Sequence, residues 1–269
     1  MKYKLIVSDF DDTIVDDSQV MSDAFRKAVA DYRAKGGIFV FATGRMISAI
    51  IDYARDLGLK GELIGYQGAV IADIESGEFL RTTPIKKETA LAIARFLEEQ
   101  NLYYQIYDDD TFVVEKVTDY SLLYSRFTKK DMIVSGAPLT EYIIKKDLSP
   151  VKMLLVCEPS KVKEYMASLN REFGEEVLIN TSKPFIIEII NKHVNKGQAV
   201  KNLAESLGIK REEVICIGDS QNDIPMIEYA GLGAVVANGS QEARAVADVI
   251  IPANVLPRQK LAETGAYPS

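Results

Sequence analysis

The chain has 269 residues, enough for about two domains, and its 47% apolar and 26% charged residues suit a well-cored globular protein. A net charge of −7, from 32 basic and 39 acidic residues, argues against nucleic acid as a main partner but leaves room for a local basic pocket that takes an anionic metabolite. With one histidine, His193, there is no His-cluster metal site, and the chemistry falls to carboxylates, Lys, Thr and Ser.

The opening MKYKLIVSDF has too short an apolar run for a signal peptide, and no later run approaches a membrane span, so a cytoplasmic protein with no membrane partner is expected. KLIVS reads as a strand. A helix follows from about Ser22 to Lys35, where Phe25, Ala28, Val29 and Tyr32 share a face, Ser22 can cap and Gly36 can stop it. GIFVFATGR predicts a buried strand and a turn, then a helix with Ile47, Ile50, Ile51 and Ala54 on one side. GELIGYQGAVIADIESGEFLRTT reads as a short strand and a hairpin turning at Glu75-Ser76-Gly77.

From about Pro84 to Glu188 the pattern changes to a long helix (86–101), strands YYQIYD and TFVVEKV, strand VKMLLVCE, a helix from about Ser160 to Phe173, and strands EVLINT and PFIIEII. Paired strands with helices between them predict an α+β insert. Its acidic triplet Asp108–Asp110 reads as a solvated turn rather than a specificity loop. Helix NKGQAVKNLAESLG, strand EEVICIGD, helix IPMIEYAG, strand GAVVAN, helix SQEARAVA and strand DVII then resume the first style. Such alternation predicts an α/β fold with a parallel sheet, helices on both faces and ligands at the carboxyl ends of the strands. The division expected is 1–82, 83–189 and 190–269, with a final helix or loose end in the tail. Cys157 and Cys216 sit in apolar runs and read as buried thiols of a reducing compartment.

Four strand ends could carry chemistry. Asp9 and Asp11, spaced i and i+2, point to one side of an extended segment. Thr43 and Gly44, where the next helix is expected to begin, offer backbone N–H groups, a dipole and a hydroxyl to an anion. Lys196, in a first helical turn capped by Asn195, opposes the helix dipole unless an anion is shared there. Asp219 and Asp223 crowd a turn with Asn222, and a hard cation such as Mg²⁺ would offset that charge. Together these describe a Mg²⁺-assisted phosphoryl-transfer site.

DFDDT, ATGR, NKG and GDSQND, in this order, resemble the four motifs of the haloacid dehalogenase superfamily of phosphatases. The insert, with NKG followed by GDSQNDIPMIEYAG, resembles its Cof-type sugar-phosphate phosphatases, which carry a type IIB cap. The resemblance implies a Rossmann-like core with an inserted C2B cap, and Mg²⁺-dependent hydrolysis of small phosphorylated metabolites through an aspartyl-phosphate. It implies Asp9 as nucleophile, and Asp11 as the acid/base that also touches the metal through its backbone carbonyl. Asp9 and Asp219 become metal ligands, Thr43, Gly44 and Lys196 hold the phosphoryl group, and Asn222 helps there or contacts substrate. Asp223 would orient Lys196 and the metal's waters. Two other readings share these residues: a phosphotransferase similar to phosphomannomutase, and a phospho-aspartate sensing module without turnover, against which the insert and Asp11 weigh. The chain departs from the family at Gln67-Gly68, where Asn-Gly is common and the Asn lines the substrate cleft. Arg45 could touch phosphate or simply start a surface helix, and His193 lies just ahead of the lysine motif. Asp12 reads as a local backbone cap, and Asp16 and Asp17 as water-facing.

Overall fold

The computed structural model describes residues 1–16 and 18–253, so the expectations for Asp17 and for most of the tail lie outside the described residues. Two compact units appear, one formed by 1–80 with 195–269 and the other by 81–194.

In the first unit the chain runs β1 (Leu5–Ser8), α1 (Asp23–Ala34), β2 (Ile38–Phe41), α2 (Ile51–Asp56), β3 (Glu62–Gly65), β4 (Val70–Asp73) and β5 (Phe79–Thr82), which leads out of it. The inserted unit comprises α3 (Lys87–Glu99), β6 (Tyr104–Asp108), β7 (Thr111–Val114), α4 (Asp119–Thr128), β8 (Met132–Val134), α5 (Leu139–Lys146), β9 (Lys152–Val156), α6 (Val162–Phe173), β10 (Val177–Lys183) and β11 (Ile186–Asn191). The first unit resumes with α7 (Lys196–Ser206), β12 (Val214–Gly218), α8 (Ile224–Tyr229), β13 (Leu232–Val236), α9 (Gln241–Val246) and β14 (Val249–Ile251).

The main sheet of the first unit has the order β14-β13-β12-β1-β2, parallel throughout. Its residues alternate in direction, as a pleated strand requires. From β2, Phe39 and Phe41 join an edge-on aromatic cluster with Phe25 of α1 and with Phe10, which packs at a tilt against Tyr53 of α2. Val40 and Ala42 point the other way, into a core completed by Ala199, Val200 and Leu203 of α7 and Met226 of α8. Helices therefore pack on both faces. The antiparallel hairpin β3–β4 joins this sheet through a single bridge, Ala42 to Ile64, and β5 completes its three strands.

The inserted unit holds a six-stranded sheet, β10-β11-β9-β6-β7-β8, antiparallel except for β7 with β8. One face carries the unit's own apolar core, with Ile93 and Leu97 of α3, Ile143 of α5 and Leu169 of α6. The Asp-rich turn is a two-residue loop in which Asp109 and Asp110 both take positive φ (44° and 57°), the geometry that suits a tight hairpin. No helix among the described residues is long and apolar enough to cross a membrane.

Two readings need correction. The segment carrying Ile47, Ile50, Ile51 and Ala54 is not one helix: a 3₁₀ turn (Ile47–Ala49) precedes a short α2, and neither start has a side-chain cap. Three β-branched isoleucines and no N-cap give a weak helix start, although all four side chains stay buried. In the insert, α4, β8 and α5 stand where no element was expected.

Candidate active site

β1 and β12 lie side by side, and the ladder runs one residue past β1, with the Asp9 amide donating to the Ile217 carbonyl at 2.8 Å. Parallel pairing thus delivers Asp9 and Asp219 to the same rim. Thr43 follows β2 on that rim, since Ser8 accepts from Ala42 at 2.9 Å. Lys196 reaches the rim from the first turn of α7, whose start is capped by the Asn195 side chain accepting from the Gln198 amide at 2.8 Å.

Lys196 is fully buried, and its ammonium donates to Asp9 Oδ1 at 2.5 Å and to Asp223 Oδ1 at 2.6 Å. Asp223, also fully buried, accepts with Oδ2 from the backbone amides of Asp219 (2.9 Å) and Ser220 (3.0 Å). Both of its oxygens are thus engaged, Oδ1 by Lys196 and Oδ2 inside its own turn. Asp9 Oδ2 has no hydrogen-bond partner among the described residues. Asp219 Oδ1 accepts from the hydroxyl of Thr13 at 3.1 Å.

Asp9 and Asp219 are shifted from the ordinary carboxylate range. Burial raises the Asp9 carboxyl well above its ordinary range, with Lys196 opposing and Asp223, Asp219 and Asp11 adding to the rise. Asp219 is pushed up to about 7, by burial first and then by the charges of Asp223 and Asp12. Burial pulls the Lys196 ammonium down, but the two carboxylates outweigh it and the net shift is upward. One ammonium among three carboxylates leaves the cluster short of positive charge.

Oxygen atoms of Asp9, Asp219 and Asp223 lie within 4.8 Å of one another, a grouping able to hold a metal ion. The donor set is all hard oxygen, incomplete and short of positive charge, which fits Mg²⁺ with water and phosphate completing its shell. Because Asp223 is tied to Lys196 and two amides, Asp9 and Asp219 are the better-placed ligands.

Asp11 is not in this cluster. Its carboxylate is gripped at both oxygens by Arg45, Nε to Oδ2 at 2.8 Å and Nη2 to Oδ1 at 2.6 Å. The guanidinium lies 5.0 Å above the Phe10 ring and is nearly buried. Arg45 is thus neither a surface residue nor a helix start, which its bidentate partner in a distant segment hid from sequence reasoning.

The picture at Thr43 and Gly44 also changes. The Thr43 amide donates to Ile64 O at 3.0 Å, so it is not available to an anion, and no helix dipole begins there. The Thr43 hydroxyl accepts from the Arg45 amide at 3.2 Å, leaving its own proton to donate. Asn222 Nδ2 donates to Gln67 Oε1 at 2.8 Å, and its Oδ1 accepts from the Ser220 hydroxyl at 2.6 Å. Thr13 escaped sequence reasoning because the turn that brings its hydroxyl to Asp219 depends on the left-handed Asp12, and Gln67 entered it only as a departure from the family at a cleft-lining position. Asp12 takes a left-handed conformation (φ 61°), and its carbonyl accepts from Asn238. His193 belongs to the inserted unit and is exposed.

Acidic strand ends around a buried lysine make the kind of site that handles a phosphoryl group. Residues 6–255 match the model of the haloacid dehalogenase-like hydrolases, and the chain belongs to that family as a Cof-type member. A phosphoglycolate phosphatase of Methanosarcina acetivorans is 29% identical over 256 residues, covering 94% of this chain and 92% of the relative. A haloacid dehalogenase-like hydrolase from Bacteroides thetaiotaomicron superposes with a TM-score of 0.84 at 27% identity, over 94% of this chain and 95% of that one. A subclass IIB sugar phosphatase shares the fold at a TM-score of 0.79 and 22% identity, over 93% and 94% of the two chains.

Proposed function

We propose that this phosphatase of the haloacid dehalogenase family hydrolyses small phosphorylated metabolites, sugar phosphates first among them, with Mg²⁺ and through an aspartyl-phosphate. The observation that carries the reading is Lys196 shared between Asp9 and Asp223, beside an Asp9 oxygen that accepts no hydrogen bond among the described residues. Asp9 Oδ2 attacks phosphorus as the ester P–O bond breaks, and Asp11, once its carboxylate has left Arg45 and taken up a proton from solvent, gives that proton to the leaving alkoxide. Asp11, now a carboxylate, takes a proton from the water that attacks the acyl phosphate, which releases inorganic phosphate and restores Asp9. Lys196 and the Thr43 hydroxyl hold oxygens of the transferring group. Mg²⁺, held by Asp9, Asp219 and the Asp11 backbone carbonyl, would supply the positive charge that lets an anionic nucleophile meet an anionic phosphate. Asp223 keeps Lys196 oriented.

The insert, taken as running from about residue 83 to 189 within the unit 81–194, acts as the cap that selects the leaving group. A metabolite substrate agrees with the acidic, membrane-free composition, and we place the enzyme in the cytoplasm. The test is a panel of phosphorylated metabolites assayed for phosphate release with Mg²⁺, with Asp9→Asn as blank. Release from sugar phosphates is expected from the wild type, with at least about a thousandfold loss in the variant. Isomer formation in place of free phosphate would point to a phosphotransferase, and no turnover of any ester would sink the reading.

A further inference from the structure

The turn between β3 and β4 is strained. Tyr66, Gln67 and Gly68 take φ values of 52°, 60° and 99° in succession, and the first two side chains are buried. Left-handed conformations at adjacent non-glycine residues are unfavourable, and persist where the surroundings over-determine them. Here the Tyr66 amide donates to Arg45 O and the Gln67 amide to Thr43 O, both at 2.9 Å, so the turn is clamped onto the Thr43–Arg45 segment. What the strain achieves is the aim of one side chain. Gln67 reaches over Gly44 so closely that a Cβ on Gly44 would stand 2.3 Å from Gln67 Nε2. Its Oε1 is held by Asn222, whose own carbonyl is held by Ser220. Because the carbonyl end of each amide accepts within this chain, the donor end of Gln67 is directed at Gly44.

We propose that Gln67 is a phosphate-positioning residue: its amide donor, aimed by Asn222, binds an oxygen of the phosphoryl group beside Gly44. Asn222 then acts through Gln67 rather than on phosphate itself. This rests on the phosphatase reading above for the identity of the ligand. It also gives Gly44 a reason to lack a side chain, since a methyl group there would displace the Gln67 amide.

Gln67→Glu keeps the shape but puts an anion where the donor was, and Gln67→Met keeps the volume without polarity. The measurements are KM and kcat for a hexose phosphate, and calorimetric affinity for inorganic phosphate with Mg²⁺ present. Gln67→Glu is expected to raise KM and weaken phosphate binding by about tenfold or more, with kcat changed less, and Gln67→Met by about three- to tenfold. Asn222→Ala should weaken phosphate binding too, and adding it to Gln67→Met should cost nothing further, as coupling through one contact requires. If Gln67→Met, folded by its urea midpoint, binds phosphate within about twofold of wild type, or if the double variant shows two independent losses, the proposal is overturned. Should the wild type hydrolyse no ester, the phosphatase reading fails, and phosphate binding alone decides for Gln67. A wild type that binds no phosphate overturns this proposal as well.

Discussion

Lys196 carries its charge with no exposed surface, and its two carboxylate partners keep it there. At Asp219 its charge only partly offsets burial, which is the main reason that carboxyl rises from an ordinary 3.8 to about 7. A carboxyl raised on folding stabilises the fold while protonated. That contribution is complete below the unfolded value and is lost as pH climbs through about 7. In chelator, therefore, the unfolding free energy of the wild type measured in urea should fall relative to that of Asp219→Asn between pH 5 and 8, by on the order of 2 kcal/mol. Added Mg²⁺ should reverse the trend, because ionised carboxylates then have a partner. Parallel curves for the two proteins across that range, with or without Mg²⁺, would contradict the burial of charge described at this rim. The residue types of this cluster were legible in the sequence: Asp9, Lys196, Asp219 and Asp223 follow strand ends or open a helix. Arg45 on Asp11 and Asn222 on Gln67 were not, because each joins segments that no local spacing relates.

Among the elements, the sheet of the inserted unit carries a polar pair where a core residue would be ordinary. On β9 and β11, Lys152 donates to Glu188 at 2.5 Å, both essentially buried, with the ammonium 5.4 Å from the Tyr107 ring. Burial pulls the Lys152 ammonium down, but the charge of Glu188 outweighs it and the net shift is upward, so Lys152 keeps its proton. Lys152→Met should cost about 3–5 kcal/mol in urea unfolding by stranding a buried carboxylate, whereas Lys152→Met with Glu188→Leu should recover most of that loss. A double variant as unstable as the single one would mean that packing, not the unpaired charge, sets the cost. Long periodic elements such as α1 and α3 were readable because their apolar stripes repeat over three turns. α5 was not, since Pro138 at its start supplies no cap and the Thr140 amide and hydroxyl are instead held by Glu98 of α3. β8 has three residues, too few to show alternation, and Ile133 and Val134 are exposed.

At the scale of the whole molecule, the chain leaves the first unit after Leu80 and re-enters it at Asn195. Every residue of the inserted unit's core cluster, from Ile85 to Ile189, belongs to that unit. Residues 81–194 made alone should therefore unfold cooperatively in urea, with one transition by circular dichroism and by tyrosine fluorescence. A broad, probe-dependent melt would show that its stability depends on the rest of the chain. By itself, the sequence determined the α/β class, the alternation that makes the first sheet parallel, and the four acidic and basic strand ends, because these rest on periodicities and residue types a few positions apart. Only the tertiary structure decided which carboxylate shares the buried ammonium, which one Arg45 holds, and how Gln67 comes to lie on Gly44. Those contacts join residues from 23 to 187 positions apart, and their energies depend on burial and distance, which no local pattern encodes.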